Sequence, residues 1–383
     1  MSDWIDAREA QARLGVRPQT LYAYVSRGRL VVRPDPGDPR RSLYRAAEVD
    51  GLAERKGRSR RAADVAAQAI AWGEPVLTSA ITSIVGGRLY YRGRDARDLA
   101  ETASLEAVAR LLRGGHGAAL KRTDRPPPPP GPSVRARAFA ALAARAGVEP
   151  PARGRNPVVL SIQAGEVLDA LADAVAGQRI DGPIHARLAV AWGLPPAGEG
   201  ADLIRRALVL LADHELNAST FAARVTASTG ASLAACAVAG LAALTGPWHG
   251  GATVAVRALA TDAAARGAPA AVEAWLMQDR ALPGFGHRLY PDGDPRAVAL
   301  LARLKTPPGL EALRRAAAAA TGLSPSVDFA LVALAESLRL PEDAPFALFA
   351  VARCAGWIAH AIEQGQSPAL IRPRARYVGP LPA

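Results

Sequence analysis

The chain has 383 residues, half of them apolar, and a formal net charge of +12. A chain of this length and apolar content can bury a large core and form two or three domains, which excludes an intrinsically disordered protein. The two cysteines, Cys236 and Cys354, lack the spacing of a metal site or a disulfide framework. Because the sequence begins with neither a basic leader nor an apolar export segment, we predict a cytoplasmic protein.

The positive charge is concentrated near the N-terminus. Residues 1–63 carry 14 Lys and Arg against 8 Asp and Glu, so a sixth of the chain holds half of the net charge. This asymmetry indicates an anionic partner for the N-terminal part. The basic run at residues 55–61 is either a solvated linker or a segment that contacts phosphates. It marks the first predicted boundary, which gives a domain of residues 1–61.

Two short helices are predicted at the start of this domain. Ala7, Ala10 and Leu14 have the spacing of an amphipathic helix, Gly15 indicates a turn, and Pro18 opens a second helix. The second helix is predicted to bury one face and to present the other to solvent. The buried side chains would be Leu21, Tyr22 and Val25, and the outward ones Arg17, Gln19, Thr20, Tyr24 and Arg27.

A two-stranded hairpin is predicted to follow, with strands at residues 30–32 and 43–44, Pro36-Gly37 between them, and Arg40 and Arg41 at its turn. Together with the two helices, this pattern resembles the winged helix-turn-helix of excisionase and MerR-type regulators. The resemblance implies that the second helix enters the major groove of DNA while basic side chains contact phosphates. A small structural or protein-binding domain is the alternative.

From residue 62 onward the pattern is almost wholly helical, because Ala-, Leu- and Arg-rich segments are broken by Gly or Pro. Two stretches differ. Residues 82–93 contain Gly86-Gly87 between β-favouring residues and predict a small hairpin, whereas residues 125–132 contain six prolines and predict a loop. The longest apolar run, residues 231–248, is predicted to be a buried core helix and not a membrane span.

Four of the six histidines lie in polar segments of this apolar chain, and these segments are the candidate sites. His214 and Asn217 are three residues apart, which predicts that they share one helical face. His249 follows the helix-breaking Gly246-Pro247 and is predicted to lie at a helix start, which disfavours a positive charge. A neutral imidazole there could donate a hydrogen bond to a developing enolate.

Two further segments carry candidate chemistry. His287 follows Gly284-Phe285-Gly286, where glycines let the backbone approach a ligand, and Asp294 is predicted to cap a helix opened by Pro295. Asp328 enters an apolar helix, which should raise its pKa and make it a stronger base.

Arg353 lies in a predicted helix over residues 346–364 and shares one face with Trp357, His360 and Gln364. An arginine buried among apolar side chains requires an anion. Trp357 and His360 are interpreted mainly as packing residues. Arg372 lies further on, in the segment Ile371-Arg372-Pro373 near the C-terminus.

From about residue 72 to residue 379 the chain resembles citrate synthase. The resemblance rests on short strings that occur here in the family's order, and the ordered set is far more specific than any one string. The strings are Tyr91-Arg92-Gly93, His214-Glu215-Leu216-Asn217-Ala218-Ser219-Thr220, His249-Gly250-Gly251-Ala252, Gly284-Phe285-Gly286-His287-Arg288, Asp294-Pro295-Arg296, Val327-Asp328-Phe329, Gly356-Trp357-Ile358-Ala359-His360 and Arg372-Pro373.

The resemblance implies a mainly α protein, with an all-helical two-domain body preceded by the small winged helix-turn-helix domain. Residues 62–248 and 356–383 would form a large domain, and residues 249–355 a small domain that closes over the substrates. The family's activity condenses acetyl-CoA with oxaloacetate and hydrolyses citryl-CoA to citrate and CoA. It implies a homodimer, no metal and no permanently bound cofactor, with acyl-CoA as co-substrate.

The resemblance also implies a role for each matched side chain. Asp328 would remove a proton from the acyl-CoA α-carbon, His249 would donate a hydrogen bond to the enolate oxygen, and His287 would polarise the oxaloacetate carbonyl. Arginine suits carboxylate binding because its fork makes bidentate hydrogen bonds. The side chains implied to hold the oxaloacetate carboxylates are His214, Arg296, Arg353 and, from the partner subunit, Arg372.

Three positions depart from the family pattern: Thr253 and Ser326 replace a usual Asn, and Pro291 replaces a common Lys or Arg. The last departure bears on contact with the CoA phosphates. The acyl preference stays open, because one methylene is worth only about 1–3 kcal/mol of discrimination. The alternatives are therefore a 2-methylcitrate synthase that uses propionyl-CoA, or a DNA-binding regulator whose helical body senses a metabolite.

Overall fold

A computed structural model describes residues 3–26, 30–53, 77–115, 125–278, 281–375 and 377–380. The chain divides into two compact units, Met1–Thr78 and Ser79–Ala383. The predicted boundary at residue 61 and the basic run 55–61 lie outside the described residues. Among these residues one helix, Ala344–Gly365, is long and apolar enough to cross a membrane, but nearly all of it is buried inside the protein.

The first unit contains the predicted helices and hairpin together with one further strand and one further helix. In chain order its elements are β1 (Trp4–Asp6), α1 (Ala7–Leu14), α2 (Pro18–Ser26), β2 (Val32–Asp35), β3 (Asp38–Arg45) and a helix α3 over residues 46–53. The three strands form an antiparallel sheet in the order β1-β3-β2. The Asp6 carboxylate caps α1, and Gly15 ends it in the left-handed conformation.

Three details of the first unit differ from the prediction. Tyr22 is 63% exposed, whereas Tyr24 packs against the small core, so the two tyrosines exchange their predicted sides. The hairpin turns at Pro36-Gly37, and Arg40 and Arg41 lie within β3 instead of at the turn. Strand β1 was not predicted, because three residues are too few to show an alternating pattern.

The second unit is mainly helical, as predicted. It opens with the hairpin β4 (Thr82–Val85) and β5 (Arg88–Tyr91), whose turn residues Gly86 and Gly87 both have positive φ, and the short strand β6 (Arg94–Asp95) extends the sheet. The Pro-rich residues 125–132 form no regular element. The helices are α4 (Ala96–Thr102), α5 (Leu105–Leu112), α6 (Val134–Val148), α7 (Pro157–Ala176), α8 (Ile184–Ala191), α9 (Glu199–Leu211), α10 (Ala218–Ser228), α11 (Leu233–Leu244), α12 (Ala252–Arg266), α13 (Ala268–Leu276), α14 (Pro295–Leu301), α15 (Pro308–Thr321), α16 (Val327–Ser337) and α17 (Ala344–Gly365).

Helix α17 is the centre of this unit. It is apolar on every side and packs against α5, α7, α9, α10, α11 and α16. Burial on all sides brings its few polar side chains into the interior: Arg353, Trp357, His360 and Gln364 are all buried. The predicted common face of these four residues therefore points into the protein.

The close packing of α11 on α17 depends on Gly240. A Cβ at this position would lie 2.5 Å from the indole ring of Trp357. We expect Gly240→Ala to lower the free energy of unfolding by about 1–3 kcal/mol, because the ring must shift. Gly165→Ala in α7 is the control: an added Cβ there meets nothing within 4 Å, and a helical Gly→Ala change should be neutral or stabilising. Equal urea midpoints for the two variants would contradict this packing.

Candidate active site

Contacts through Tyr290 join three of the predicted side chains. The imidazoles of His214 and His287 meet edge to face with 5.3 Å between ring centroids, and His214 Nε2 lies 2.9 Å from the Tyr290 hydroxyl. The guanidinium of Arg296 lies 5.5 Å from the centre of the Tyr290 ring. Side chains from the loop after α9, the segment before α14 and α14 itself therefore lie close together.

Phe349 of α17 joins two more of them. Its ring lies 5.8 Å from that of His249, and the Arg353 guanidinium lies 4.8 Å from its centre. Side chains of both groups lie close enough to His214 to affect its charge state. Its pKa is well below its usual range, chiefly because of burial, and four neighbours lower it further: Arg296, Arg353, His287 and His249.

His214 does not lie on a helix, contrary to the prediction. It occupies the loop between α9 and α10, and Asn217 is the N-cap of α10, with Oδ1 accepting from the backbone N–H groups of residues 219 and 220 at 3.1 Å each. The prediction that His214 and Asn217 share one helical face was therefore wrong. The physical reason is that Glu215 adopts a left-handed backbone, with φ of 50°, which interrupts helical geometry.

His249 lies in the turn before α12, two residues ahead of the N-cap Gly251. Its Nε2 atom is 2.8 Å from Ser219 Oγ. Burial lowers the pKa of its imidazole to about 4, and Arg353 and Arg296 add to the effect. The imidazole of His249 is therefore neutral near pH 7, as predicted. Burial and the charges of two arginines cause this state, whereas the prediction attributed it to the start of a helix.

The geometry around His287 fixes the tautomer of its neutral ring. Nδ1 accepts the backbone N–H of Leu289 at 3.2 Å, so the single proton must sit on Nε2. Burial, helped by Arg296, lowers the pKa of His287 to about 4 against an opposing effect of Asp294. Near neutral pH the ring is therefore uncharged and can donate a hydrogen bond from Nε2.

Asp328 is the second residue of α16. Burial raises the pKa of its carboxyl to about 6, with Arg296 opposing the shift and Asp294 adding to it. Its Oδ2 lies 3.5 Å from Ser326 Oγ, whereas the buried Oδ1 has no hydrogen-bond partner among the residues that the structure describes. Such a carboxylate is ionised at neutral pH yet more basic than one in water, which suits proton abstraction.

The raised pKa of Asp328 makes the stability of the folded protein depend on pH. The usual value is 3.8, so between pH 3.8 and about 6 the folded protein binds more protons than the unfolded chain, and stability falls as pH rises through this window. We therefore expect Asp328→Asn to be more stable than the wild type at pH 7.5, with the difference shrinking toward pH 4. Urea midpoints at both pH values test this. The exposed Asp292→Asn is the control, and a difference that is independent of pH would contradict the shift.

Arg296 is fully buried and is held by Asp294. Its Nε and Nη2 donate to the two carboxylate oxygens at 2.9 and 2.8 Å, which leaves Nη1 as the nitrogen that Asp294 does not contact. The same carboxylate accepts the N–H groups of Arg296 and Val327 at 3.0 and 2.9 Å. Asp294 therefore caps α14, as predicted, and also ties Arg296 to the start of the helix that carries Asp328.

Arg353 is buried and forms no ion pair with a carboxylate among the described residues. Its Nε donates to the carbonyl of Leu211 at 2.9 Å, and within the described chain its buried Nη2 has no hydrogen-bond partner. Burial lowers the pKa of this guanidinium to about 10, although Asp213 opposes the shift. The burial on which the sequence prediction depended is present, and a buried, under-bonded guanidinium is suited to binding an anion.

Arg372 is the one predicted site residue that the single chain does not bring to this cluster. It lies exposed in the segment after α17, and no contact joins it to the others within the described residues. Conversely, Tyr290, Ser219 and Phe349 contribute to the site although none of them was predicted to. Tyr290 follows His287 by three residues, which was the only local signal that it belongs there.

The arrangement agrees with the comparison to known families. The family model for the citrate synthase C-terminal domain matches residues 162–374, which is more than half of the chain and includes all seven predicted site residues. The chain belongs to the citrate synthase family. The second unit has the mainly helical fold that the resemblance implied. Its short sequence motifs occur in the order that is typical of the family.

Curated relatives match about half of the chain. Citrate synthase 2 of Bacillus subtilis is 37% identical over 199 residues, which covers 49% of this chain and 54% of that protein. 2-Methylcitrate synthase 2 of Corynebacterium glutamicum is 38% identical over 202 residues, covering 48% and 51%. The chain thus spans about half the length of these curated relatives.

Solved structures match over a longer stretch. Citrate synthase from Thermotoga maritima has a TM-score of 0.65 at 28% identity, covering 81% of this chain and 95% of that one. The enzyme from Thermoplasma acidophilum, solved as a ternary complex with carboxymethyl coenzyme A and oxaloacetate, has a TM-score of 0.64 at 27% identity, covering 80% and 95%. Both likenesses support the same fold for the helical body.

Proposed function

We propose that the chain is a citrate synthase that condenses acetyl-CoA with oxaloacetate and hydrolyses citryl-CoA to citrate and CoA. The observation that carries the proposal is the juxtaposition of two neutral imidazoles, a carboxylate of raised pKa and two buried guanidinium groups. The residues concerned are His249, His287, Asp328, Arg296 and Arg353. Family membership and the ligands of the Thermoplasma acidophilum ternary complex support it.

In the first step Asp328 takes a proton from the α-carbon of the acetyl thioester, and the electron pair moves to the carbonyl oxygen. His249 donates a hydrogen bond to that oxygen and stabilises the enolate. A carbon acid requires both functions at once, because the base is weaker than the carbanion it forms. The raised pKa of Asp328 and the neutral state of His249 support these roles.

In the second step the enolate carbon attacks the keto carbon of oxaloacetate and forms the new carbon–carbon bond. His287 Nε2–H polarises the keto oxygen, which takes up a proton and becomes the hydroxyl of citryl-CoA, so that this proton balances the one that Asp328 removed in the first step. The unpaired Nη2 of Arg353, the free Nη1 of Arg296 and the imidazole of His214 hold the carboxylates. Water then adds to the thioester carbonyl, and CoA leaves as the thiol.

The proposal includes assembly into a homodimer. In a homodimer, Arg372 of the partner subunit would reach the carboxylates, which fits its exposure in a single chain.

Residues 62–248 and 356–383 would form the large domain and residues 249–355 the small one that closes over the substrates. The boundary at residue 355 falls inside α17, so this helix would belong to both domains. No permanently bound cofactor or metal is required, and the enzyme would act in the cytoplasm.

Release of free thiol from acetyl-CoA in the presence of oxaloacetate tests the proposal. We expect thiol release that needs both substrates. Propionyl-CoA run in parallel distinguishes the alternative, 2-methylcitrate synthesis, which the Corynebacterium glutamicum relative favours. A purified, folded chain that releases no thiol from either thioester would contradict the enzymatic function.

We also propose that the first unit is a winged helix-turn-helix that binds duplex DNA. Its helix α2 has Arg17, Gln19 and Thr20 exposed at its start, and the Arg33 guanidinium covers the Trp4 ring at 4.2 Å on the sheet. Fluorescence anisotropy with duplex DNA at increasing salt tests this. We expect affinity that falls steeply with salt and a slope smaller by about one in Arg17→Ala. Absence of binding at low salt would favour a structural or protein-binding unit.

A further inference from the structure

The hydroxyl group of Ser219 has three hydrogen-bonding neighbours in the protein interior. Trp357 Nε1 lies 3.0 Å, Asn217 Oδ1 2.7 Å and His249 Nε2 2.8 Å from Ser219 Oγ. Ser219 is fully buried, so these three groups share its one proton and two lone pairs. The indole N–H of Trp357 can only donate, and it therefore occupies one lone pair.

The orientation of the Asn217 amide is fixed by its other bonds. Nδ2 faces the carbonyl oxygens of His214 and Glu215 at 3.2 and 3.5 Å, while Oδ1 faces the backbone N–H groups of residues 219 and 220 at 3.1 Å each. A flipped amide would set its N–H groups against two other N–H groups. The atom that faces the Ser219 hydroxyl is therefore an oxygen that can only accept.

One proton and one lone pair of Ser219 remain for Asn217 and His249. If the proton pointed to His249, two oxygen atoms would face each other at 2.7 Å without a hydrogen between them. If it points to Asn217, the remaining lone pair accepts from His249 Nε2–H, and all three contacts are hydrogen bonds. The second arrangement is the favourable one in a buried site.

We propose that Asn217, acting through Ser219, keeps the proton of the neutral His249 ring on Nε2 in the unliganded protein, and that acyl-CoA binding moves it to Nδ1. Asn217 and Ser219 are positioning residues in this scheme. The consequence for catalysis rests on the proposed function, because only a thioester carbonyl at His249 requires a donor there. The tautomer of His249 in the unliganded protein does not depend on the proposed function.

The switch changes no net charge. The Ser219 hydroxyl turns from Asn217 to His249 Nε2, that nitrogen gives its proton to water, and Nδ1 takes a proton from water. Nδ1 is the available nitrogen, since the hydrogen bond between Ser219 and the ring is made by Nε2. The new bond from Nδ1 to the thioester oxygen must offset the broken hydrogen bond between Ser219 and Asn217, so the ligand selects the tautomer that can donate to it.

Nitrogen-15 NMR of the full-length protein labelled at histidine tests the proposal, with the His249 signals identified by His249→Asn. We expect the unliganded wild type to carry the proton on Nε2. Asn217→Ala removes the competing acceptor and should move the proton to Nδ1. Asn217→Gly, which also lacks the acceptor and is tolerated at an N-cap, should do the same and serves if the alanine variant does not fold. Oxaloacetate with carboxymethyl-CoA should move the proton to Nδ1 in the wild type.

The control is Asn156→Ala, which removes the N-cap of α7, where Asn156 Oδ1 accepts from Val158 N at 2.8 Å. It should leave the His249 tautomer unchanged, because loss of a cap alone does not reach Ser219. A proton on Nδ1 in the unliganded wild type, or one that stays on Nε2 in both Asn217 variants or in the liganded wild type, would overturn the proposal. Failure of thiol release would instead overturn the enzymatic function and leave the unliganded tautomer result standing.

Discussion

Thiol release in the Asp328→Ala protein is expected to fall by about 10²- to 10⁴-fold, because the substitution removes the carboxylate proposed to take the α-proton. The loss should appear in kcat, since Asp328 contacts the substrate only where a bond breaks. The KM for oxaloacetate should change little, because the guanidinium groups that hold its carboxylates remain. The measurement is initial rate against each substrate at pH 7.5.

His249→Ala should lower turnover by about 10²- to 10³-fold, the usual cost of losing one donor to a developing oxyanion.

Glu336→Ala is the matched control for Asp328→Ala, since this exposed acid lies on the same helix, α16. Its activity should be close to that of the wild type. Comparable turnover in Asp328→Ala and the wild type would refute the assigned base.

The second large effect is a contrast between two buried arginines. Arg296→Met leaves the buried Asp294 carboxylate without its partner, and breaking such a pair costs about 3–5 kcal/mol of stability. Arg353 forms no ion pair with a carboxylate of the described residues, although its charge helps to lower the pKa of the buried Asp213, and the lowered pKa of Arg353 itself means that folding disfavours its charge. We therefore expect Arg353→Met to unfold at a higher temperature than the wild type and Arg296→Met at a lower one.

Both variants should bind oxaloacetate more weakly, by about 1.5–3 kcal/mol for each lost hydrogen bond to a charged group. Calorimetric titration with oxaloacetate and thermal unfolding measure the two effects separately. The double variant Arg296→Met with Asp294→Asn should recover part of the lost stability, because the uncompensated charge is removed. Equal destabilisation by Arg296→Met and Arg353→Met would contradict the distinction between a paired and an unpaired guanidinium.

Local sequence patterns predicted the elements that depend on local interactions. Gly86-Gly87 predicted the hairpin of β4 and β5, because a tight turn needs positive φ at both residues. Asp294-Pro295 predicted the start of α14, since cap and first turn are adjacent in sequence. The apolar setting of Asp328 predicted the direction of its pKa shift, because its neighbours along α16 are themselves the apolar surroundings.

The same reasoning failed where a local pattern had two solutions. His214 and Asn217 are three residues apart, which fits one face of a helix but fits a loop followed by an N-cap equally well. Tyr22 and Tyr24 exchanged sides because both are amphipathic and only the core of the first unit distinguishes them. In both cases the deciding contacts come from residues distant in sequence.

The sequence by itself determined the helical body, the ordered strings that place the chain in the citrate synthase family, and the identity of the titratable side chains. Only the tertiary structure decided their state. Ser219 and His249 are 30 residues apart, and Asp294 and Val327 are 33 apart, yet these contacts hold the His249 ring and connect Arg296 to the helix that carries Asp328. Desolvation, fixed charges and the count of hydrogen-bond partners depend on three-dimensional neighbours, which spacing along the chain does not specify.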